Sequence, residues 1–131
     1  ETLVYASDAK KLGEVFENAN ESLAQSNKEN MFVTIFTGIL NTSTGEFVYV
    51  NAGHNPPIIK RGGVCKYLEK AANPILGAFE GVSFTTVKLT LNPGDALFLY
   101  TDGVTEATNK EKEFFGEERL LKTAENFGNR Y

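Results

Sequence analysis

Tyr100-Thr101-Asp102-Gly103 is the sharpest chemical signal in this chain. A carboxylate at the exit of an apolar strand, followed by glycine, can be held rigidly at a sheet edge, where a metal ligand or catalytic group is well positioned. The same spacing also describes a strand-to-helix turn in which Asp102 caps the next helix. Glu106 follows Asp102 by four residues, so on a helix the two carboxylates share one side and could act as an acid–base pair, or form a solvated helix start. The second signal is Asn51-Ala52-Gly53-His54-Asn55-Pro56-Pro57. Histidine titrates near neutral pH and can move protons. The flanking Asn51 and Asn55 can donate and accept hydrogen bonds. A stiff Gly/Pro loop, whose histidine ties down backbone groups, is the structural alternative.

Composition removes several other chemistries. The chain has 131 residues, 17 acidic and 13 basic, for a net charge of −4 with the single histidine neutral. That is the length of one domain with ordinary globular composition. An acidic balance without a basic run argues against nucleic-acid binding. No apolar run reaches the ~18 residues of a membrane helix, and no signal peptide opens the chain. One cysteine, Cys65, cannot form an internal disulfide or a thiolate cluster, and a reducing, cytoplasmic setting fits. One histidine cannot make a multi-His site. Fourteen acidic residues are Glu and three are Asp: Asp8, Asp95 and Asp102. Phosphate-loop, dinucleotide and GxSxG motifs are absent from the sequence.

The elements that must position these groups read as helix, about six strands, helix, which is an α+β pattern. Residues 8–26 have helical spacing, with Leu12, Val15, Phe16, Ala19 and Leu23 on one face and Ser7 or Asp8 as N-cap. Phe32–Leu40 reads as a buried strand. It turns at Asn41–Gly45 into a hairpin partner at Phe47–Val50. Ile58-Ile59 and Val64–Leu68 flank Gly62-Gly63 as a second hairpin. Val87, Leu89 and Leu91 alternate with polar residues, so that strand has one wet face. Asn92-Pro93-Gly94-Asp95 is a tight turn before an apolar run, Ala96–Tyr100, that reads as a central strand. Val104–Ala107 starts a short helix, and Glu117–Asn126 forms another with Leu120, Leu121 and Ala124 inward. Phe32, Phe36, Phe47, Phe98 and Tyr100 read as core, with Met31 and Cys65 as packing residues.

Four segments together resemble one family. They are Met31–Phe36 (MFVTIF), Asn51–Pro57 (NAGHNPP), Asn92–Ala107 (NPGDALFLYTDGVTEA) and Glu113–Leu120 (EFFGEERL). Their order and separation are similar to the PPM-type metal-dependent serine/threonine phosphatases of the bacterial stage II sporulation protein E and Rsb stress-regulator group. The resemblance implies an αββα-type layered sandwich of antiparallel sheets flanked by helices. It implies hydrolysis of phosphoserine or phosphothreonine on a regulatory protein, such as an anti-sigma-factor antagonist. It also implies two Mn²⁺ or Mg²⁺ ions that activate water and neutralise phosphoryl oxygens. Carboxylates suit such hard ions. The Asp of the family's TDG motif matches Asp102, which becomes the expected metal ligand. Gly103, Glu106, His54 and Asn55 are the residues expected around it, with His54 in a structural role.

Two family segments have no counterpart: the GD-V-SG-type segment expected before the first helix and the DD-T-type segment expected after the last. Neither Asp8 nor Asp95 sits in a matching motif. Residues 1–131 therefore read as one partial phosphatase domain, its central portion, truncated at both ends and inactive alone. Missing edge strands would leave sheet edges open and favour a homodimer or domain swap. The competing reading is a non-catalytic, phosphatase-like module that binds a signalling partner.

Overall fold

The computed structural model describes residues 2–29, 31–69 and 72–127, with side chains in the first helix from Lys10 onward. The elements run α1 (Thr2–Ser26), β1 (Ile35–Leu40), β2 (Glu46–Ala52), β3 (Ile58–Arg61), β4 (Val64–Tyr67), β5 (Val87–Thr90), β6 (Ala96–Phe98), α2 (Asp102–Thr105) and α3 (Gly116–Asn126). The α+β expectation holds: the ladders between the six described strands are antiparallel, and helices accompany both sheets. The chain divides into two compact units, Glu1–His54 with Lys70–Leu91, and Asn55–Glu69 with Asn92–Tyr131.

In the first unit, α1 lies against a three-stranded sheet of order β1-β2-β5. Central β2 is buried almost throughout. One of its faces presents Val48, Val50 and Ala52 to Leu12 and Phe16 of α1, together with Leu76 and Phe84, and Ile35 and Val82 pack around this cluster. The Phe16 and Phe84 rings sit 5.7 Å apart. Each large side chain buried here contributes about 1.5–3 kcal/mol. The opposite face carries Phe36, Phe47 and Tyr49, with neighbouring ring centroids 5.2–6.4 Å apart.

The buried stripe of α1 differs from the expected one. Leu12, Phe16 and Asn20 face inward, whereas Val15 and Leu23 are exposed. A polar residue takes an inward position because its amide is fully used. Asn20 Nδ2 donates to the Phe79 carbonyl at 2.7 Å, and Asn20 Oδ1 accepts the Gly77 N–H at 2.9 Å. That pins the 77–79 loop to the helix. The helix also begins at Thr2, so neither Ser7 nor Asp8 caps it. No glycine or proline interrupts residues 2–12, and nothing local stops the helix earlier.

In the second unit the order is β4-β3-β6, with α3 packed on β3 and β4. Ile58, Cys65, Tyr100 and Leu120 form its core, and Tyr67, Phe115, Leu121 and Ala124 pack around them. Lys60 Nζ donates to the carbonyls of Glu125 at 2.7 Å and Phe127 at 2.5 Å, at the C-terminal end of α3. A cation there complements the partial negative charge of the helix end. Glu125 Oε1 in turn accepts the Cys65 N–H at 3.2 Å.

Two expectations about strands need correction. Phe32–Leu40 is not a buried strand: its regular part is β1, an edge strand, and Phe32, Val33, Ile39 and Leu40 are exposed, as is Met31. The apolar run ending at Tyr100 is not central either. Its strand β6 lies at the edge of its sheet, and Phe98 and Leu99 are exposed while Tyr100 is buried. Apolar content predicts that a segment is extended, but position within a sheet depends on which strands pair.

Burial raises the Cys65 thiol above its ordinary value. The folded protein therefore keeps the thiol neutral. Stability from this group is complete below the unfolded thiol's pKa and declines as pH rises through the folded one. Cys65 is expected to resist a thiol-specific chromogenic reagent in the native state at neutral pH and to react fully after unfolding. Rapid native labelling contradicts this burial.

Candidate functional site

Asp102 is the first residue of α2, and Thr101 before it is extended at φ −112° and ψ 166°. The Thr101 side chain makes no capping hydrogen bond, and Asp102 does not serve as the N-cap. Its backbone carbonyl accepts the Glu106 N–H at 2.7 Å and the Thr105 hydroxyl at 3.2 Å. The carboxylate is thus left for solvent or ligand while the backbone holds its position. Gly103 and Glu106 are exposed beside it, Glu106 being the C-cap of this one-turn helix.

The strand end behind Asp102 is anchored by Tyr100, whose ring lies 6.4 Å from that of Tyr67. The Tyr67 hydroxyl donates to the Glu117 carbonyl at 2.9 Å, tying the pair to α3. The Tyr100 hydroxyl is buried and makes no hydrogen bond of full geometry. Burial raises its pKa well above the ordinary phenol value and Tyr67 pushes the same way, while the Asn55 side chain acts in opposition. An unsatisfied hydroxyl is a cost that phenylalanine would not carry. Tyr100→Phe is therefore expected to melt at or above the wild-type temperature. A clear loss of stability would show that this hydroxyl has a partner.

His54 lies in the first unit. Its Nδ1 is 3.3 Å from the Thr34 hydroxyl. Its N–H donates to Asn51 Oδ1 at 2.8 Å, and its carbonyl accepts from Asn51 Nδ2 at 3.0 Å. Asn51 is buried, so one amide fixes the loop backbone from both sides. Gly53 precedes His54 at φ +72°, and a Cβ there would overlap Ile75. These contacts hold the backbone of His54 through Asn51 and set its ring beside Thr34. Asn55, Asp102, Gly103 and Glu106 belong to the second unit.

Asp95 is engaged elsewhere. Arg61 Nε donates to its Oδ2 at 2.9 Å, and so does the Asn92 N–H at 2.9 Å. The Arg61 guanidinium holds its carboxyl below the usual range. The Asp8 side chain lies outside the described residues. Among the described residues, no three His, Cys, Asp or Glu side chains gather as a metal cage. Among the described residues this donor set does not fit a two-metal centre. Sequence spacing missed two contributors, the Thr34 contact with His54 and the buried Tyr100 hydroxyl. The first lies within MFVTIF, but only pairing across the sheet shows what Thr34 touches.

A family model described as stage II sporulation protein E matches residues 2–130. Protein IcfG of Synechocystis sp. is 42% identical over 93 residues, covering 71% of this chain and 15% of that protein. Phosphoserine phosphatase RsbU of Bacillus subtilis is 29% identical over 113 residues, covering 86% of this chain and 33% of that protein. The chain thus spans a third or less of these curated relatives. The crystal structure of the RsbU and RsbW domains of Rv1364c from Mycobacterium tuberculosis superposes with a TM-score of 0.67 at 27% identity, covering 80% of this chain and 29% of that one.

Proposed function

Because this chain belongs to the stage II sporulation protein E family, we propose that it is part of a metal-dependent protein phosphatase domain. Its substrate would be a phosphoserine or phosphothreonine regulatory protein of the anti-sigma-factor-antagonist type. The family match over residues 2–130 carries this reading, and the likeness to a phosphoserine phosphatase supports it. Asp102 is the metal ligand that this chain supplies, with Gly103 and Glu106 beside it. Two Mn²⁺ or Mg²⁺ ions need several carboxylates, and the described residues offer no cluster of three. The remaining ligands come from outside residues 1–131, so the chain alone is inactive. The proposed setting is cytoplasmic, with which a lone cysteine agrees.

The test is Mn²⁺-dependent release of phosphate from a phosphoserine peptide, by the 131-residue chain and by a longer polypeptide that carries it. Activity of the longer polypeptide only is the expected result. Turnover by the short chain would show that its own residues, or a second copy, complete the site. Inactivity of both would sink the phosphatase reading in favour of a partner-binding module without turnover.

A further inference from the structure

We propose that Lys112 is a specificity-determining residue that reads carboxylates flanking the phosphoserine of the substrate. This rests on the phosphatase reading and adds to it the class of sequence around the phosphorylated residue. The observation is a side chain placed where its own backbone disfavours one. Lys112 has φ +62°, and among the described residues every other positive-φ position is a glycine. An L-residue in that region crowds its own carbonyl, whereas glycine does not.

The conformation is fixed by the hairpin that follows α2. The Phe115 N–H donates to the Ala107 carbonyl at 2.7 Å, and Thr108 bridges Phe114 in the antiparallel sense. Asn109 closes the loop with both its backbone and its side chain. Its N–H donates to the Glu113 carbonyl, and its carbonyl accepts the Lys112 N–H, each at 3.1 Å. Its Oδ1 accepts the Glu113 N–H at 2.9 Å, and its Nδ2 donates to Glu113 Oε2 at 3.0 Å. The loop is therefore Lys110-Glu111-Lys112, with a β-turn from Asn109 to Lys112. Hairpin loops of this length put a left-handed residue, usually glycine, at the third position. All of these bonds lie within residues 107–115, so the shape needs no segment from elsewhere.

Charge gives the strained side chain a use. Other cations of the second unit are engaged: Lys60 with the end of α3, Arg61 with Asp95 and Lys122 with Glu118. Lys112 is exposed and, among the described residues, has no ion-pair partner. The carboxylate next to it in sequence, Glu113, is held by Asn109, and Glu111 is exposed between the two lysines. One helical turn, one hairpin arm and a β-turn separate Asp102 from Lys112, which keeps their Cα atoms within about 25 Å. About seven extended residues of a bound peptide cover that span. With the phosphoryl group held near Asp102, a cation set apart from it reads the residues on either side. The chain carries a net charge of −4, so it repels an acidic peptide at long range, and a preference for one needs a local cation.

The test compares two phosphoserine peptides on a longer, active polypeptide. One is flanked on both sides by alternating Glu and Gly over about seven residues, the other by alternating Gln and Gly. The kcat/KM is expected to favour the acidic peptide about two- to fivefold, the scale of one exposed charge pair, and the preference should fade in high salt. Lys112→Gly should abolish the preference, leave turnover of the neutral peptide unchanged and melt no lower than the parent, since glycine suits φ +62°. Lys112→Arg should retain the preference, and Lys66→Ala on β4 should not alter it. A parent without the preference, a Lys112→Gly variant that keeps it, or an equal loss on both peptides would each overturn the proposal. A longer polypeptide that hydrolyses neither peptide sinks the phosphatase reading instead, and fluorescence anisotropy with the 131-residue chain then decides the recognition. Tighter binding of the labelled acidic peptide that weakens about two- to fivefold in Lys112→Gly upholds it, and equal binding by the two proteins overturns it.

Discussion

Asp102→Asn is expected to lower phosphate release by a longer, active polypeptide about 100- to 1,000-fold, the scale on which loss of one preorganised charge-stabilising group is felt. The change removes one negative charge and keeps the side-chain shape. Asp102 is exposed, and its contacts to Glu106 and Thr105 run through its backbone carbonyl, which the substitution leaves in place. Stability should therefore move by no more than about 0.5 kcal/mol, as at other surface sites. The signature is lost activity with an unchanged melting temperature, and a chelator should reproduce the activity loss in the unsubstituted protein. Full activity in the Asn variant would remove Asp102 from the site. A large fall in melting temperature would make its role structural.

Gly45→Ala is expected to destabilise the folded chain by about 2–5 kcal/mol, read as a lower denaturant midpoint with an unchanged slope. Two costs add. Gly45 has φ +75°, and an L-residue in that region costs about 1–2 kcal/mol. A Cβ would also run into the Leu91 backbone carbonyl, and forced overlap in packed structure costs about 1–3 kcal/mol. Backbone cannot step aside as a side chain can. Gly45 donates its N–H to the Asn41 carbonyl at 2.8 Å and accepts the Leu91 N–H at 2.7 Å. The turn thus joins β1, β2 and the end of β5 at one residue. A variant as stable as the parent would mean that this turn relaxes freely.

Turn chemistry and periodicity were readable wherever the cause is local. Asn41–Gly45, Gly62-Gly63 and Asn92–Asp95 all turn where their residues predict. Leu120, Leu121 and Ala124 face inward because an eleven-residue helix on one sheet shows its period plainly. The misses are non-local. Val15 sits at good helical spacing and yet lies outside the buried stripe, because Asn20 finds two backbone partners 57 and 59 residues away. Phe32 and Phe98 look like core residues until strand order puts their segments at edges. Asp102 was visible as a carboxylate after a strand, but its promotion to metal ligand rests on family likeness. Spacing alone favoured a helix cap, and the Thr101–Asp102 geometry removes that alternative.

The division of the chain has a consequence for its synthesis. Each unit is built from two separated stretches, and the second unit's first stretch, Asn55–Glu69, interrupts the first unit. On a ribosome, β2 waits for β5 until residue 90 has emerged, and by then the β3–β4 hairpin is already outside. β3 then waits for β6, which is later still. The first unit's stretches are all made by residue 91, the second must wait for residues 92–131, and no single peptide bond can be cut to yield two self-sufficient halves. Ending the chain after residue 91 will therefore leave the β3–β4 hairpin without β6, starting it at residue 55 will leave β5 without β2, and because the stretches of the two units alternate around the chain, circular permutation cannot make either unit contiguous.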